Sequence, residues 1–200
     1  EKEKFLDVFE LDIRSRTSLR NFYSKIENKY KKIDILVNNA GINKTADFVD
    51  QTDDEWDAVL ETNLTGVFRN CQEALKLIQE GGKIINIGSL SGEYGGPRTP
   101  SYAAAKMALM ALTHNLARFV ASRGISVNCL SPGVIESEFT EETMSKDVKE
   151  TALKAMLIKR FAKHDEMTGA ASARRDTQNM PVVSEKPSLY ILVVQKDLMM

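Results

Sequence analysis

Apolar and polar positions alternate over residues 5–11, the period of a half-buried strand, and the pattern stops at Asp12-Ile13. The period then lengthens: Leu19, Phe22, Tyr23 and Ile26 recur at helical spacing and predict a helix over residues 17–30. Ile33-Asp34-Ile35-Leu36-Val37 is a short apolar strand that ends at Asn38-Asn39-Ala40-Gly41. Thr52-Asp53-Asp54-Glu55 is a capping box, in which hydroxyl and carboxylate satisfy each other's orphan amides. It opens a helix predicted to run to about Ile78, and Gly81-Gly82 then turns the chain into a strand over residues 83–87. Thr99-Pro100 starts a second long helix, with a Thr N-cap and a Pro at the first position. Ala103, Ala104, Ala105, Met107, Met110, Leu112, Leu116, Phe119 and Val120 make this helix apolar almost all round. Such a helix is buried on more than one side: one side faces a sheet, and the other is a candidate subunit contact. Gly124 ends it, and residues 125–130 form another strand, closed by Ser131-Pro132-Gly133.

Strands alternating with helices of this length predict a parallel sheet with helices on both faces. Asp12, the Asn38–Gly41 turn, Ser89 and Pro132-Gly133 each follow the carboxyl end of a predicted strand. Open α/β sheets bind ligands along that edge, so four polar or turn motifs landing there predict a site.

Composition narrows the field. Two hundred residues suit one domain with a real core. Lys+Arg 27 against Asp+Glu 28 leaves a net charge of −1, which gives no electrostatic reason to expect nucleic acid or an anionic membrane as partner. Cys71 and Cys129 lie among apolar residues without metal-type spacing, and only His114 and His164 could join them. No metal site is expected, and buried free thiols suit a reducing, cytoplasmic compartment. No apolar run is long enough to span a bilayer.

The chemistry concentrates at one stretch. Ser89 stands just past a strand end, and Tyr102 and Lys106 lie at i and i+4 on one helix face, so an ammonium can sit beside a phenol. To work near pH 7, a tyrosine needs a pKa about 3 units below its free value, ~4 kcal/mol. A neighbouring Lys106 charge and the helix N-terminus are expected to supply it. Asn63 lies on an otherwise apolar face with Trp56, Val59, Leu60, Leu64, Val67, Phe68, Cys71 and Leu75. A buried amide without partners is costly, so Asn63 should pair with buried backbone or ordered water. Taken singly, each residue also has a plain structural reading: Tyr102 as a helix-start residue, Lys106 as a solvated charge, Ser89 as a turn serine, Asn63 at a helix irregularity. Met107, Met110 and the alanines read as core, and His114 as packed or surface.

In order and spacing, these residues resemble the classical short-chain dehydrogenase/reductase family. Asn38-Asn39-Ala40-Gly41 matches its N-N-A-G, Ser89 with Tyr102-Ala103-Ala104-Ala105-Lys106 its Ser…Tyr-x-x-x-Lys, Asn63 its helical Asn, and Pro132-Gly133-Val134-Ile135 its P-G-x-I. Asp54-Glu55-Trp56 and the stretch 61–69 look most like 3-oxoacyl-[acyl-carrier-protein] reductases. The resemblance implies an incomplete Rossmann-like α/β fold, a doubly wound parallel sheet, in a partial domain over residues 1–170 with an atypical tail over 171–200. It implies an oxidoreductase that interconverts a carbonyl and a secondary alcohol by hydride transfer, with NADP or NAD as cofactor and NADP favoured. Tyr102 would be the general acid or base, and Ser89 would hold the substrate oxygen. Asn63 would hold a water that relays protons to Lys106. Asp12 and Ile13 would contact the adenine, Asn39, Ala40 and Gly41 the ribose region, and Ile135 the carboxamide beside Pro132 and Gly133. Ser137 stands where the family has a Thr near the cofactor, and Tyr102 and Lys106 also face the cofactor. The substrate would be a small or acyl-carrier-bound carbonyl compound, and the intact family is usually tetrameric through helices like those at 53–78 and 100–121. Sugar, polyol or steroid dehydrogenases are the alternative branches, and a non-catalytic chain acting through its helical surface is the alternative class.

The chain also departs from the family. It begins in what the resemblance makes mid-domain, without the first strand, glycine-rich turn, first helix and second strand, about 50 residues judged from the size of βαβ units. Nothing in the sequence replaces that turn's grip on a pyrophosphate, so the chain as written is expected to be inactive, with its first strand displaced or frayed. Residues 171–183 lack the family's periodicity, whereas 184–191 look like the family again. Reading-frame slips around these stretches are one account. The other is a genuine tail whose run over 189–194 forms a replacement edge strand.

Overall fold

The computed structural model describes residues 7–167 and the backbone of residues 190–193. Helix α1 (Arg16–Tyr30) begins where the Ser15 hydroxyl accepts the Ser18 amide at 3.2 Å, and it buries Leu19, Phe22, Tyr23 and Ile26, the four positions that its spacing predicts. Strand β1 (Ile33–Asn38) follows. Helix α2 (Asp53–Leu60) opens on the predicted capping box, with Thr52 and Glu55 each accepting the other's amide at 3.2 Å. A π-helical stretch (Glu61–Gly66) and α3 (Val67–Ala74) continue it. Gly66 is needed there: a Cβ would stand 2.8 Å from Ile13 Cγ1, so a side chain would push the 11–13 segment out of the core.

The helix ends at Leu75, not near Ile78. Ile78 already pairs with Ile33, as the first residue of β2 (Ile78–Ile87). The Gly81-Gly82 turn is instead an irregularity inside β2, where the register jumps from Ile33↔Ile78 to Ile35↔Lys83. A short helix, α4 (Ser91–Tyr94), leads to α5 (Pro100–Val120). Thr99 does not cap α5 with its side chain. Gln51 Oε1 accepts the Ser101 amide at 3.0 Å, so the orphan donor is satisfied from another loop. The chain then forms β3 (Ser126–Leu130), α6 (Glu138–Thr143), α7 (Lys146–Ala155) and β4 (Tyr190–Val193).

The sheet is parallel throughout, in the order β3-β2-β1-β4, with helices packed around it. The edge strand expected over 189–194 as one of two accounts is present as β4, paired with β1 from Ile35↔Tyr190 to Asn38↔Val193. The expected strand over 5–11 is absent among its described residues: 7–12 form no ladder. With β2 on one side of β1 and β4 on the other, that segment has no strand to pair with, and it packs instead through Leu11, Ile13 and an edge-on contact of Phe9 with Phe22 at 5.8 Å. The irregular stretch 171–183, and 184–189 of the family-like stretch, lie outside the described residues.

The two long helices bury less than their sequences predict. Helix α5 sinks Ala105, Lys106, Leu109, Thr113, Leu116 and Val120, but Ala104 is exposed, Met110 is half-buried, and Met107 and Phe119 are 44% and 77% exposed. Trp56 and Phe68 also face outward, so the apolar stripe around Asn63 is wider than the face it buries. Among the described residues no helix is long and apolar enough to cross a membrane.

Candidate active site

The parallel ladder brings the ends of β1, β2 and β3 to one edge. Asn38 is level with Asn86, and Cys129 with Asn86 in turn, so Asn39, Ser89 and Ser131 all emerge there. The Gly88 amide donates to Leu130 O at 2.7 Å, and the Leu90 amide to Pro132 O at 2.9 Å, which fixes the turn that carries Ser89. Ser89 Oγ accepts the Ser91 amide at 3.1 Å, and the Ser89 hydroxyl is the polar neighbour that draws the Tyr102 pKa downward.

Tyr102 and Lys106 lie on the same face of α5, with the Lys106 Nζ 5.5 Å from the centroid of the Tyr102 ring. Lys106 is 4% exposed and donates to Ile87 O at 2.6 Å. Burial pulls its pKa down to about 8, against a weaker upward pull from Cys129. Here the structure corrects the sequence reading of Tyr102. Burial raises the phenol's pKa, with only the Ser89 hydroxyl acting the other way. The Lys106 ammonium is directed at the Ile87 carbonyl, so desolvation outweighs its field.

Asn63 sits in the π-helical stretch, where the irregular turn aims its side chain inward. It is fully buried and paired with backbone as expected: its Nδ2 donates to Ile42 O and its Oδ1 accepts the Ile42 amide, both at 2.8 Å. That two-way bond pins the turn after β1. A Cβ on Gly41 would stand 3.4 Å from Asn63 Oδ1 and 3.6 Å from Lys106 Nζ, so Asn63, Gly41 and Lys106 share one wall.

Other predicted residues are placed elsewhere. Asp12 follows no strand among the described residues, and its carboxylate is bonded to the Arg14 amide at 2.9 Å and guanidinium at 3.0 and 3.1 Å. Ile13 is 1% exposed, a core side chain rather than a surface for a ligand. Ser137 caps α6, accepting the Thr140 amide at 3.2 Å, because the chain turns into a helix there. Ala40 is buried and Asn39 exposed at the end of β1. Ile135 forms a parallel bridge to Ala162, and Gly133 is exposed beside Leu90. His114 is on the surface.

Sequence reasoning missed a buried polar seam beneath the site. Tyr23 Oη donates to Asn70 Oδ1 (2.8 Å), Asn70 Nδ2 to Asn38 Oδ1 (2.7 Å), Asn38 Nδ2 to Asn86 Oδ1 (2.8 Å), Asn86 Nδ2 to Thr113 Oγ1 (2.9 Å), and Thr113 Oγ1 to Leu109 O (2.7 Å). All five side chains are buried, and burial raises the Tyr23 phenol and pushes the adjacent Cys71 thiol up to about 12. The available signal was spacing: Asn70 is seven residues from Asn63 and Thr113 seven from Lys106, two helical turns along the same faces. Phe139, whose ring lies 6.1 Å from that of Tyr102, was also missed.

Known proteins resemble this chain over most of its described length. The family model for short chain dehydrogenase matches residues 1–148. The 3-oxoacyl-[acyl-carrier-protein] reductase of Thermotoga maritima is 38% identical over 164 residues, covering 81% of this chain and 66% of that protein. Nodulation protein G of a Rhizobium species is 37% identical over 167 residues, covering 82% and 68%. The 3-oxoacyl-[acyl-carrier-protein] reductase of Chlamydia pneumoniae is 34% identical over 163 residues, covering 80% and 65%. The chain thus spans about two thirds of the length of these curated relatives, and it belongs to the short chain dehydrogenase family.

Proposed function

We propose that this member of the family carries the proton-transfer side of an oxidoreductase that interconverts a carbonyl and a secondary alcohol, with NADP or NAD as cofactor. The observation that carries the reading is the Ser89–Tyr102–Lys106 group at the carboxyl edge of the sheet, half-buried at Ser89 and Tyr102 and buried at Lys106. The residues present fit the nicotinamide end of such a cofactor: Gly41 leaves open the space beside Asn63 and Lys106, and Gly133, beside Leu90, is exposed. Asn39, Gly41, Pro132, Gly133 and Ile135 would hold that end. The fit does not extend to the adenine end through Asp12 and Ile13, which are engaged or buried.

A bound nicotinamide would supply a hydride to the carbonyl carbon or, in reverse, take one from the carbon that bears the alcohol. The Ser89 hydroxyl holds the substrate oxygen against the phenol. Tyr102 donates its proton to that oxygen, and burial favours the protonated form that reduction needs. Lys106, charged below a pH of about 8, stabilises the phenolate left behind. Asn63 holds the Gly41–Ile42 wall in place, and the family's water relay to Lys106 is part of the proposal.

Acyl-carrier-bound 3-oxo compounds are the substrate class that the names of two of the relatives support, with NADP the matching cofactor, and a reducing cytoplasmic setting suits the two free cysteines. Exposed Trp56, Phe68, Met107 and Phe119 on α2, α3 and α5 support assembly with further copies, a tetramer by family resemblance. The same surface supports the second reading, a non-catalytic chain that acts by helix contact alone.

None of the described residues forms the family's T-G-x-x-x-G-x-G turn after a strand, so the 200-residue chain should bind neither NADPH nor NADH measurably. Calorimetric titration with each checks this, and micromolar binding to either overturns it. In a version extended upstream with such a turn, carbonyl reduction should appear, and Tyr102→Phe should lower it by about 10²–10⁴-fold. Near-normal turnover in that variant would remove Tyr102 from the mechanism.

A further inference from the structure

Tyr102 is the third residue of α5, inside the first turn, whose amides have no partner within the helix. Its phenol can be no steadier than that turn. The residue in the capping position does not hold it: Thr99 Oγ1 has no hydrogen-bond partner among the described residues, and neither has Ser101 Oγ. The Ser101 amide donates instead to Gln51 Oε1 at 3.0 Å. The loop that supplies Gln51 meets the approach to α5 twice more. The Ala46 amide donates to Arg98 O at 3.0 Å, and the Asp47 carboxylate accepts the Arg98 guanidinium at 2.9 Å. Both contacts hold Arg98 in the left-handed region, at a φ of 56°, which a residue with a side chain adopts only under constraint.

We infer that Gln51 is a positioning residue for Tyr102, and that the loop over residues 42–51 is a brace that fixes the phenol relative to Ser89. The brace is anchored at both ends. At its start, Asn63 donates to Ile42 O and accepts the Ile42 amide, both at 2.8 Å. At its end, Gln51 precedes Thr52, the N-cap of α2, and the Gln51 amide donates to Asp47 O at 3.1 Å. Both halves of the Gln51 carboxamide are used: Nε2 donates to Lys44 O at 3.0 Å while Oε1 accepts from Ser101. One partner is a carbonyl and the other an N–H, so the amide fits only this way round. Ser89 is placed by different contacts, the Gly88 and Leu90 amides donating to Leu130 O and Pro132 O. The hydroxyl is thus set from the end of β3 and the phenol from the loop before α2. Their separation is a tertiary property that neither segment fixes alone. Asn63 contributes to it from a distance, because through Ile42 it anchors the same loop.

This inference rests on the proton-donor reading of Tyr102, but its test needs neither cofactor nor turnover. The full 200-residue chain is labelled with 3-fluorotyrosine and followed by fluorine NMR, and amide hydrogen exchange is measured alongside. Loss of one signal in Tyr102→Phe assigns that residue, and Tyr23, in the core, reports loosening of the fold. Gln51→Ala should speed exchange of the Ser101 amide about fivefold relative to the Leu36 amide, and shift the Tyr102 resonance while that of Tyr23 stays. Gln51→Glu keeps an acceptor for the Ser101 amide, with a charge that suits a helix N-terminus, and should restore both. Thr99→Ala should change neither. Unchanged Ser101 exchange in Gln51→Ala, or a rise that Leu36 shares, overturns the inference. So does lost protection with an unmoved Tyr102 resonance, or a Gln51→Glu result equal to that of Gln51→Ala. A Thr99→Ala effect as large as that of Gln51→Ala overturns it as well. A full effect here, with normal turnover of Tyr102→Phe in the version extended upstream, would leave the brace standing and remove the proton-donor reading instead.

Discussion

Two regions reach the Tyr102 phenol, and they are held by different physics. From the body come α5 and the end of β2, seated on a core of Ile33, Leu36, Ile84 and Leu109 and on the asparagine seam, in which every buried amide has a partner. From an arm, residues 137–160, comes Phe139, on a segment with a bridge at its base, one hydroxyl tie and no buried residue in its longer helix. Buried apolar contacts and satisfied buried polar groups make the body one cooperative unit, whereas the arm's longer helix buries nothing and Leu157 and Ile158 beyond it gain little from staying put. A proton donor needs fixed geometry, and a substrate needs a way in. In the proposed reaction these demands fall on separate segments.

That contrast is open to direct attack. The largest effect is expected in the body: Leu36→Ala, at a fully buried position of the central strand, should lower the unfolding free energy by about 3–4 kcal/mol in urea titration. A loss below about 1 kcal/mol would show that the body is no better packed than the arm. The next effect comes from Lys106. Its amine titrates near 10.5 when unfolded and at about 8 in the fold, so between those values the unfolded chain holds more protons. Stability should therefore rise with pH across that window, by up to about 3 kcal/mol, and Lys106→Met should lack the rise. Parallel slopes for the two proteins would mean that the amine is not desolvated. Thr113→Val keeps the shape but leaves Asn86 Nδ2 unpaired, and it should cost about 1–3 kcal/mol, with Thr113→Ser recovering most of it. In the arm, Leu157→Ser should change stability by no more than about 0.5 kcal/mol, and a larger loss would reveal packing that the exposed side chain does not show.

Much of the body was legible in the residues. The spacing of Leu19, Phe22, Tyr23 and Ile26 found α1, Thr52 and Glu55 marked the start of α2, and Asn63 was correctly read as a buried amide held by backbone. Those readings succeeded because each depends on neighbours a few residues away or on the cost of an unpaired polar group. The failures have a common cause. Thr99 has a cap's identity, but Gln51, 48 positions earlier in the chain, satisfies the helix start. Residues 7–11 alternate like a strand and form none, because a strand exists only with a partner and β4 occupies that edge of β1. Trp56, Phe68 and Met107 are apolar, but one surface of a single chain does not bury them.

The sequence by itself determined which chemistry is available at the sheet's edge. A hydroxyl, a phenol, an amine and an amide stand at fixed places on strand ends and helix faces, because strand and helix periods set those places locally. The tertiary structure alone decided their electrostatic state. The Lys106 ammonium is directed to the Ile87 carbonyl, and burial raises the Tyr102 phenol where its neighbours in sequence predicted the reverse. Protonation depends on the water excluded by the whole fold and on where a long side chain finds its acceptor, and neither is encoded in the spacing between Tyr102 and Lys106.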